Sequence, residues 1–350
     1  MKVVFMPDNG DTPYQELLKG RLAELGVKVC PALRPPVFQG LASVLRFRPE
    51  VLHLHWTSPY LLGRNTAVSL VKSTLFCLDL FLCRLAGVRL VWTLHNLHNH
   101  EKYQYGLELF FNRVIARLAD ALVAHCEAHR AEAAVLYELR DTGKIRVIEQ
   151  GNYASWYPNT SGRAEARARF GLAPSDRVFV FLGNIRAYKG VLELIGAFSG
   201  LPGENLRLLI AGKPFDRAAE EEVRAASAGD GRIRLFTGFV PDGEVQYYMN
   251  AADAAVLPYR EITTSAALLL ALSFGKPVVA PALPYLAWAL GPCGGLTYDP
   301  AAPGALRAAL EKALAADLEA EGRRASARAA EFTWEAAAGA TLELYRSLLL

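Results

Sequence analysis

The chain lacks the signatures of several common function classes. Its five cysteines (Cys30, Cys77, Cys83, Cys126 and Cys293) are scattered, odd in number and never spaced CxxC. Neither a disulfide framework nor a zinc knuckle is therefore expected, and reduced, mostly buried thiols are. No GxGxxG follows a strand-like run, so no nicotinamide or flavin dinucleotide is suggested. The net charge of +3 over 350 residues argues against a general nucleic-acid binder. The charged, apolar and small-residue succession of a signal peptide is missing from the start, where Lys2-Val3-Val4-Phe5-Met6 reads as a strand. The expectation is a cytoplasmic protein, peripheral to the inner face of the plasma membrane if it meets a membrane at all. Val68 to Ala86 comes nearest to a spanning segment, but Lys72, Asp79 and Arg84 lie inside it. Its polar positions, Ser69, Lys72, Ser73, Asp79 and Arg84, gather on one arc of a helix, which suits a core helix or one lying in a membrane interface.

What is present is a double alternation. Short apolar runs read as strands at 2–6, 27–30, 51–55, 89–94, 121–125 and 145–148, and again at 177–182, 206–211, 232–236, 254–257, 277–280 and 295–298, with helix-like segments between them. The fold class is α/β: two Rossmann-like, doubly wound domains, expected to face each other across a cleft with ligand sites at the carboxyl ends of both sheets. The expected division is 1–155, a linker at 156–171 rich in Asn, Ser, Pro and Gly towards its start, 172–332, and a last helix at 333–350 that returns to the first domain. The stretch from about 301 reads as two helices. Residues 1–150 hold 18 Lys and Arg against 14 Asp and Glu, a mildly basic half that suits an anionic acceptor or a membrane surface.

The most informative stretch is Gly183-Asn184-Ile185-Arg186-Ala187-Tyr188-Lys189-Gly190, which joins the apolar run 178–182 to an apolar helix start. Glycines that admit close backbone approach, two cations and a helix opening make an anion pocket, and a diphosphate is its natural occupant. A surface turn with two solvated cations is the alternative. Leu257-Pro258-Tyr259-Arg260-Glu261-Ile262-Thr263-Thr264-Ser265 ends another strand and opens a helix, so its hydroxyls suit further phosphate contacts, helix capping, or both.

In the first half, Leu94-His95-Asn96-Leu97-His98-Asn99-His100-Glu101 follows a strand end. Histidines beside a carboxylate fit acid–base work; a zinc site is not favoured, because loop spacing fixes no convergent geometry. In Val51-Leu52-His53-Leu54-His55-Trp56, His53 reads as a core histidine, with His55 and Trp56 placed at the strand end. The polar loop after the first strand, with Asn9, Gly10 and Tyr14, reads as flexible and suits either an acceptor hydroxyl or a plain turn.

These motifs together resemble the GT-B glycosyltransferases, from about residue 7 to 281. The second half resembles the large retaining family of bacterial mannosyl- and glucosyltransferases, and the whole order is most similar to the β-mannosyltransferase family of xanthan assembly. The resemblance is carried by Pro13-Tyr14, the 51–56 and 93–101 motifs, Tyr153 and Trp156, Arg186 to Gly190, and Leu257-Pro258-Tyr259 with Ser265 and Leu268 to Leu272. The retaining family carries two glutamates eight positions apart; here Ile262 and Leu270 occupy those places and Glu261 is one residue off. That departure favours the xanthan-type family, which looks inverting.

The resemblance implies transfer of a hexose, with mannose as the first expectation, from a nucleotide diphosphate sugar (GDP-mannose or a UDP-sugar) to a lipid-linked oligosaccharide in exopolysaccharide assembly at the membrane surface, with 68–86 as the contact. It implies neither cofactor nor metal, in keeping with the lack of a DxD triplet. It places the acceptor in the first domain, at Asn9, Gly10, Tyr14, His55 and Trp56. It places the donor in the second, at Gly183, Arg186, Lys189, Tyr259, Glu261 and Ser265. Glu101 is the expected base, with His100 or His95 in competition. A retaining transferase and a nucleotide-sugar epimerase or hydrolase are the other readings.

Overall fold

The computed structural model describes every residue of the chain except 11 and 100. It divides into two compact units, 1–151 with 333–350, and 152–332.

The first unit is a six-stranded parallel sheet in the order β2-β1-β3-β4-β5-β6. Its strands are β1 (Lys2–Met6), β2 (Lys28–Pro31), β3 (Val51–Leu54), β4 (Arg89–Thr93), β5 (Ala121–Ala124) and β6 (Ile145–Val147). Its helices are α1 (Pro13–Glu24), α2 (Gln39–Phe47), α3 (Ser58–Leu61), α4 (Thr66–Leu85), α5 (Tyr105–Leu118) and α6 (Glu127–Leu136). Val3, Val4 and Phe5 are wholly buried, as expected of a strand covered on both faces. Leu52, Leu90, Trp92, Leu122 and Tyr137 belong to one core, in which the Trp92 and Tyr137 rings stack at 5.5 Å.

The second unit is a six-stranded parallel sheet in the order β12-β11-β10-β7-β8-β9. Its strands are β7 (Arg177–Leu182), β8 (Leu206–Gly212), β9 (Ile233–Thr237), β10 (Ala254–Val256), β11 (Val278–Pro281) and β12 (Thr297–Tyr298). Its helices are α7 (Arg163–Arg169), α8 (Val191–Ser199), α9 (Arg217–Ser227), α10 (Asp242–Ala251), α11 (Ala266–Ser273), α12 (Pro284–Leu290), α13 (Ala305–Ala315) and α14 (Leu318–Glu331). The twelve strands lie within two residues of the runs read from the sequence.

Three expectations need correction. The stretch 156–171 is not a free linker. Its helix α7 packs on α10, and the buried Arg167 pairs with Asp253 at 3.0 Å and donates to the carbonyls of Ala251, Ala173 and Pro174. Those bonds make it part of the second unit. The stretch from 301 holds three helices instead of two, because side-chain caps start new ones. Asp317 accepts from the amides of Glu319 and Ala320, and Thr333 accepts from Ala336 N ahead of α15 (Trp334–Leu349). α15 packs on α1, with an Arg21–Glu335 ion pair at 2.7 Å. The loop after β1 is not loose either. Gln15 accepts from Asn9 N and donates to Pro7 O, and Asp8 accepts from Gly10 N while pairing with Lys19. The five cysteines are unpaired, and only Cys77 is less than fully buried.

Candidate active site

In the second unit the site is built on the ends of β7 and β8. Gly183 follows β7 at φ 150°, and a Cβ there would stand 3.3 Å from Lys189 Nζ. Gly212 at the end of β8 has φ 152°, and its Cβ would fall 1.8 Å from Gly183 O. Glycine is thus required where the two strand ends touch. Beyond them, Ile185 N donates to Lys213 O at 2.9 Å and Phe215 N to Ile185 O at 3.0 Å, which zips the two loops together. Gly190 closes the motif at φ 67°, where a Cβ would lie 2.0 Å from Pro258 O. Arg260 N then donates to Tyr188 O at 2.8 Å, joining the third loop, 257–265.

This scaffold presents two cations. The Arg186 guanidinium lies over the Phe215 ring at 4.1 Å, and Lys189 Nζ over the Tyr259 ring at 5.4 Å. Among the described residues no carboxylate pairs with Lys189. Burial, then the nearby Arg186, pull its pKa down to about 8. A half-buried ammonium held beside another cation is a site that gains from an anion. Tyr259 is buried, and among the described residues its hydroxyl has no partner in hydrogen-bond geometry, with Ser265 as the side chain that acts on it. Ser265 caps α11, accepting from Leu268 N at 3.1 Å. Glu261 is half-exposed on the same loop, and its neighbour Arg260 pairs with Glu193. The fold thus brings Gly183, Arg186, Lys189 and Tyr259 together. It adds Gly212 and Phe215, which sequence reasoning passed over although Gly212-Lys213-Pro214-Phe215 also follows a strand.

In the first unit, histidines gather at the carboxyl ends of β3, β4 and β5. His53 is the expected core residue, its ring bonded to Tyr345 Oη at 2.5 Å and to Thr93 Oγ1 at 2.7 Å. His55 Nδ1 lies 3.1 Å from His95 Nε2, so one ring donates to the other. Trp56 stacks on His95 at 4.4 Å, and the Tyr14 ring meets His95 edge-on at 4.6 Å. Two histidines not singled out from the sequence complete the group. His125 Nδ1 bonds to Ile148 O at 2.8 Å, and His129 Nδ1 accepts from His125 N at 3.3 Å.

Burial keeps all five rings neutral near pH 7: His53 and His129 are pushed down to about 3, His125 to about 4, and His55 and His95 well below the ordinary value. Among the described residues, His55, His125 and His129 each keep a buried Nε2 without a partner. Among the described residues no group of three metal-ligating side chains converges on one point.

The loop 95–99 is pinned from below by Glu108, also missed in the sequence. Its buried carboxylate accepts from Ser58 Oγ at 2.7 Å and from Asn99 N at 2.9 Å. Tyr137 Oη donates to Leu97 O at 2.7 Å. Glu101 is exposed on the turn before α5, Asn9 and Gly10 are exposed after β1, and Trp56 is half-buried. His100 lies outside the described residues.

Comparison with known proteins agrees with this architecture. Residues 176–316 match the family described as "Glycosyl transferases group 1". The chain is 31% identical over 246 residues to GDP-mannose:glycolipid 4-beta-D-mannosyltransferase of Xanthomonas campestris pv. campestris, a match spanning 70% of this chain and 65% of that protein. It is 30% identical over 255 residues to D-inositol 3-phosphate glycosyltransferase of Kineococcus radiotolerans, covering 66% of this chain and 58% of the relative. Among solved structures, sucrose-phosphate synthase from Thermosynechococcus elongatus superposes with a TM-score of 0.78 at 18% identity, over 99% of this chain and 98% of that one. Two Rossmann-like units, a glycine-bordered cation pair after the first strand of the second unit and these matches agree: the chain has the GT-B fold and its residues 176–316 belong to the group 1 glycosyltransferases, while the chain spans less than two thirds of the length of the curated relatives it matches.

Proposed function

We propose that the chain transfers a hexose from a nucleotide diphosphate sugar to a lipid-linked saccharide at the cytoplasmic face of a membrane. Mannose from GDP-mannose is the leading donor, a reading that comes from the name of the Xanthomonas relative. The observation that carries the proposal is Lys189, which is held against Gly183 and Tyr259, paired with no carboxylate among the described residues, and placed beside Arg186 at a strand's carboxyl end. Together the two side chains take the charge of the leaving diphosphate, as preorganised cations do.

The acceptor oxygen attacks the anomeric carbon, the bond from that carbon to the diphosphate breaks, and the acceptor proton passes to a base. Glu101, an exposed carboxylate beside the histidine loop, is assigned that role. His95 is neutral and stacked on Trp56, and it orients the sugar. Asn9, Gly10, Tyr14 and Trp56 border the acceptor. A single displacement inverts the anomeric centre, which suits the β-linkage named in the Xanthomonas relative.

A thermal-shift panel of GDP, UDP, ADP and their sugars tests the donor, since stabilisation follows affinity and concentration. GDP and GDP-mannose should give the largest shifts. NMR of the product's anomeric proton tests the stereochemistry. Release of free sugar instead of transfer would point to a hydrolase.

A further inference from the structure

At the amino end of the second sheet, opposite the donor loops, lies a cavity of about 720 Å³, none of whose lining residues belongs to the donor or acceptor groups. The sheet is parallel, so the starts of its strands meet there. Arg177 opens β7, Asp253 precedes β10, and Gly275 and Lys276 precede β11. Gly183 follows the other end of β7, about 20 Å along the strand from Arg177. The starts of α7 and α14 supply the remaining walls, and every lining residue belongs to the second unit. The volume is that of a small-molecule site. Glycines bring the walls together. Gly275 has φ 61°, and a Cβ there would fall 2.6 Å from Ser326 Oγ on α14, while a Cβ at Gly322 on α14 would fall 2.7 Å from Gly275 O. The loop that carries Lys276 is thus seated directly on the helix.

The charges around the cavity are unevenly committed. Its acids are all engaged. Asp253 accepts from Val178 N at 2.8 Å and pairs with both Arg163 and Arg167. Asp317 is taken by the two α14 amides that it caps, and Glu319 pairs with Arg323 at 2.9 Å. Two cations are left over. Lys276 Nζ donates to Ala252 O at 3.1 Å and, among the described residues, pairs with no carboxylate. Arg177 is exposed and pairs with none among them either. Burial, then the nearby Arg163, pull the Lys276 pKa down to about 8, with Asp253 acting the other way. An ammonium desolvated among guanidinium groups gains from an anion that supplies the missing charge.

We propose that this cavity is a second anion site, which takes the phosphate of a small phosphate ester on Lys276 and Arg177 and its sugar or nucleoside in the remaining volume. The Arg177 fork and the Lys276 point charge suit a phosphate dianion, which offers three oxygens and two charges, better than a single carboxylate. A phosphate fills only a small part of the cavity. The rest, with Phe274 and Leu318 on its wall, has room for an organic group. The site lies a strand's length from Arg186 and Lys189 and does not depend on what those residues bind.

The test is titration calorimetry of the full chain with inorganic phosphate, a hexose 6-phosphate and a nucleoside monophosphate. Each is titrated into the parent and into Arg186→Ala with Lys189→Met, which removes the donor cations. One of the two esters should bind the parent and this double variant alike, and more tightly than inorganic phosphate does; which one it is tells a sugar phosphate from a nucleotide. Lys276→Met should weaken that ester about tenfold or more, by loss of a charge-assisted contact. Arg177→Gln, at an exposed position, should do the same and repeats the test if Lys276→Met fails to fold by circular dichroism. Arg217→Gln, exposed on α9, should leave the affinity unchanged. Absence of binding at millimolar ester overturns the inference, and so does equal binding by the parent, Lys276→Met and Arg177→Gln. Binding that vanishes in Arg186→Ala with Lys189→Met and persists in Lys276→Met places the anion at the donor loops, so this inference falls while the transferase reading stands.

Discussion

Replacing Lys189 by methionine should stabilise the free protein and weaken its response to diphosphate. The ammonium's pKa falls from an ordinary 10.5 to about 8, which corresponds to about 3 kcal/mol against the charged form in the fold. The side chain is only half-buried, so solvent screening trims this to about 2 kcal/mol. Methionine keeps the stem packed on Tyr259 and removes the charge; the lost cation–π contact returns about 0.5–1 kcal/mol. The net expectation is about 1 kcal/mol of added stability at pH 7. The variant also loses a charge-assisted contact to the ligand, about 1.5–3 kcal/mol, or about ten- to a hundredfold in Kd.

The pH dependence has a definite sign. Because the folded-state pKa is lowered, the unfolded chain holds the extra proton between about pH 8 and 10.5, and the parent gains stability relative to the variant as pH rises through that window. Diphosphate binding runs the other way and weakens above about pH 8, where free Lys189 loses its charge. The assay is thermal melting of parent and Lys189→Met from pH 6 to 10, with and without GDP. A variant that melts lower than the parent at pH 7 and keeps the full GDP shift would refute the reasoning.

Three further outcomes follow from the same geometry. Gly190→Ala should cost about 3 kcal/mol or more in urea unfolding, since a Cβ at φ 67° would fall 2.0 Å from Pro258 O. Glu108→Ala leaves Ser58 Oγ and Asn99 N without their acceptor, so it should cost about 3 kcal/mol and lower kcat, while a change at the exposed Glu222, Glu222→Ala, should stay within about 0.5 kcal/mol. The buried neutral histidines make the fold acid-labile. His53, His125 and His129 resist protonation down to about 3 to 4, while the unfolded chain protonates near 6.5, so stability should fall by about 4 kcal/mol per pH unit below about pH 6. A melting temperature that stays flat from pH 7 to 5 would contradict this.

Much of the architecture was legible because parallel strands write themselves as apolar runs. Val178 to Leu182 and Leu206 to Ala211 are read without knowing what they pair with, and so is the glycine-bordered loop that follows the first of them. The rest depended on adjacency that a linear chain does not display. His125 and His129 join His95 only because β5 pairs with β4 in the sheet. Glu108 reads as one more charge on an amphipathic helix until Asn99 and Ser58 are seen to close on it. Phe215 becomes relevant only through the zipper between the loops after β7 and β8. The polar arc of α4 was visible, but not that Ser69, Ser73 and Asp79 on it are buried, since the same periodicity serves a helix with its polar side out or in. The stretch with helix α7 read as a linker because its start is rich in Asn, Ser, Pro and Gly; the burial of Arg167 that ties it to the second unit depends on Asp253 and on carbonyls from two separate segments.

The central claim is that Arg186 and Lys189 hold the leaving diphosphate of an activated sugar. The most direct measurement is the fate of label from GDP-mannose incubated with a glycolipid acceptor, for the parent chain and for Arg186→Ala and Lys189→Met. Label should move into the lipid phase with the parent and fall at least tenfold with either variant, each having lost a charge-assisted contact. Transfer at the parent rate by both variants, or turnover that yields only free mannose, would contradict the account.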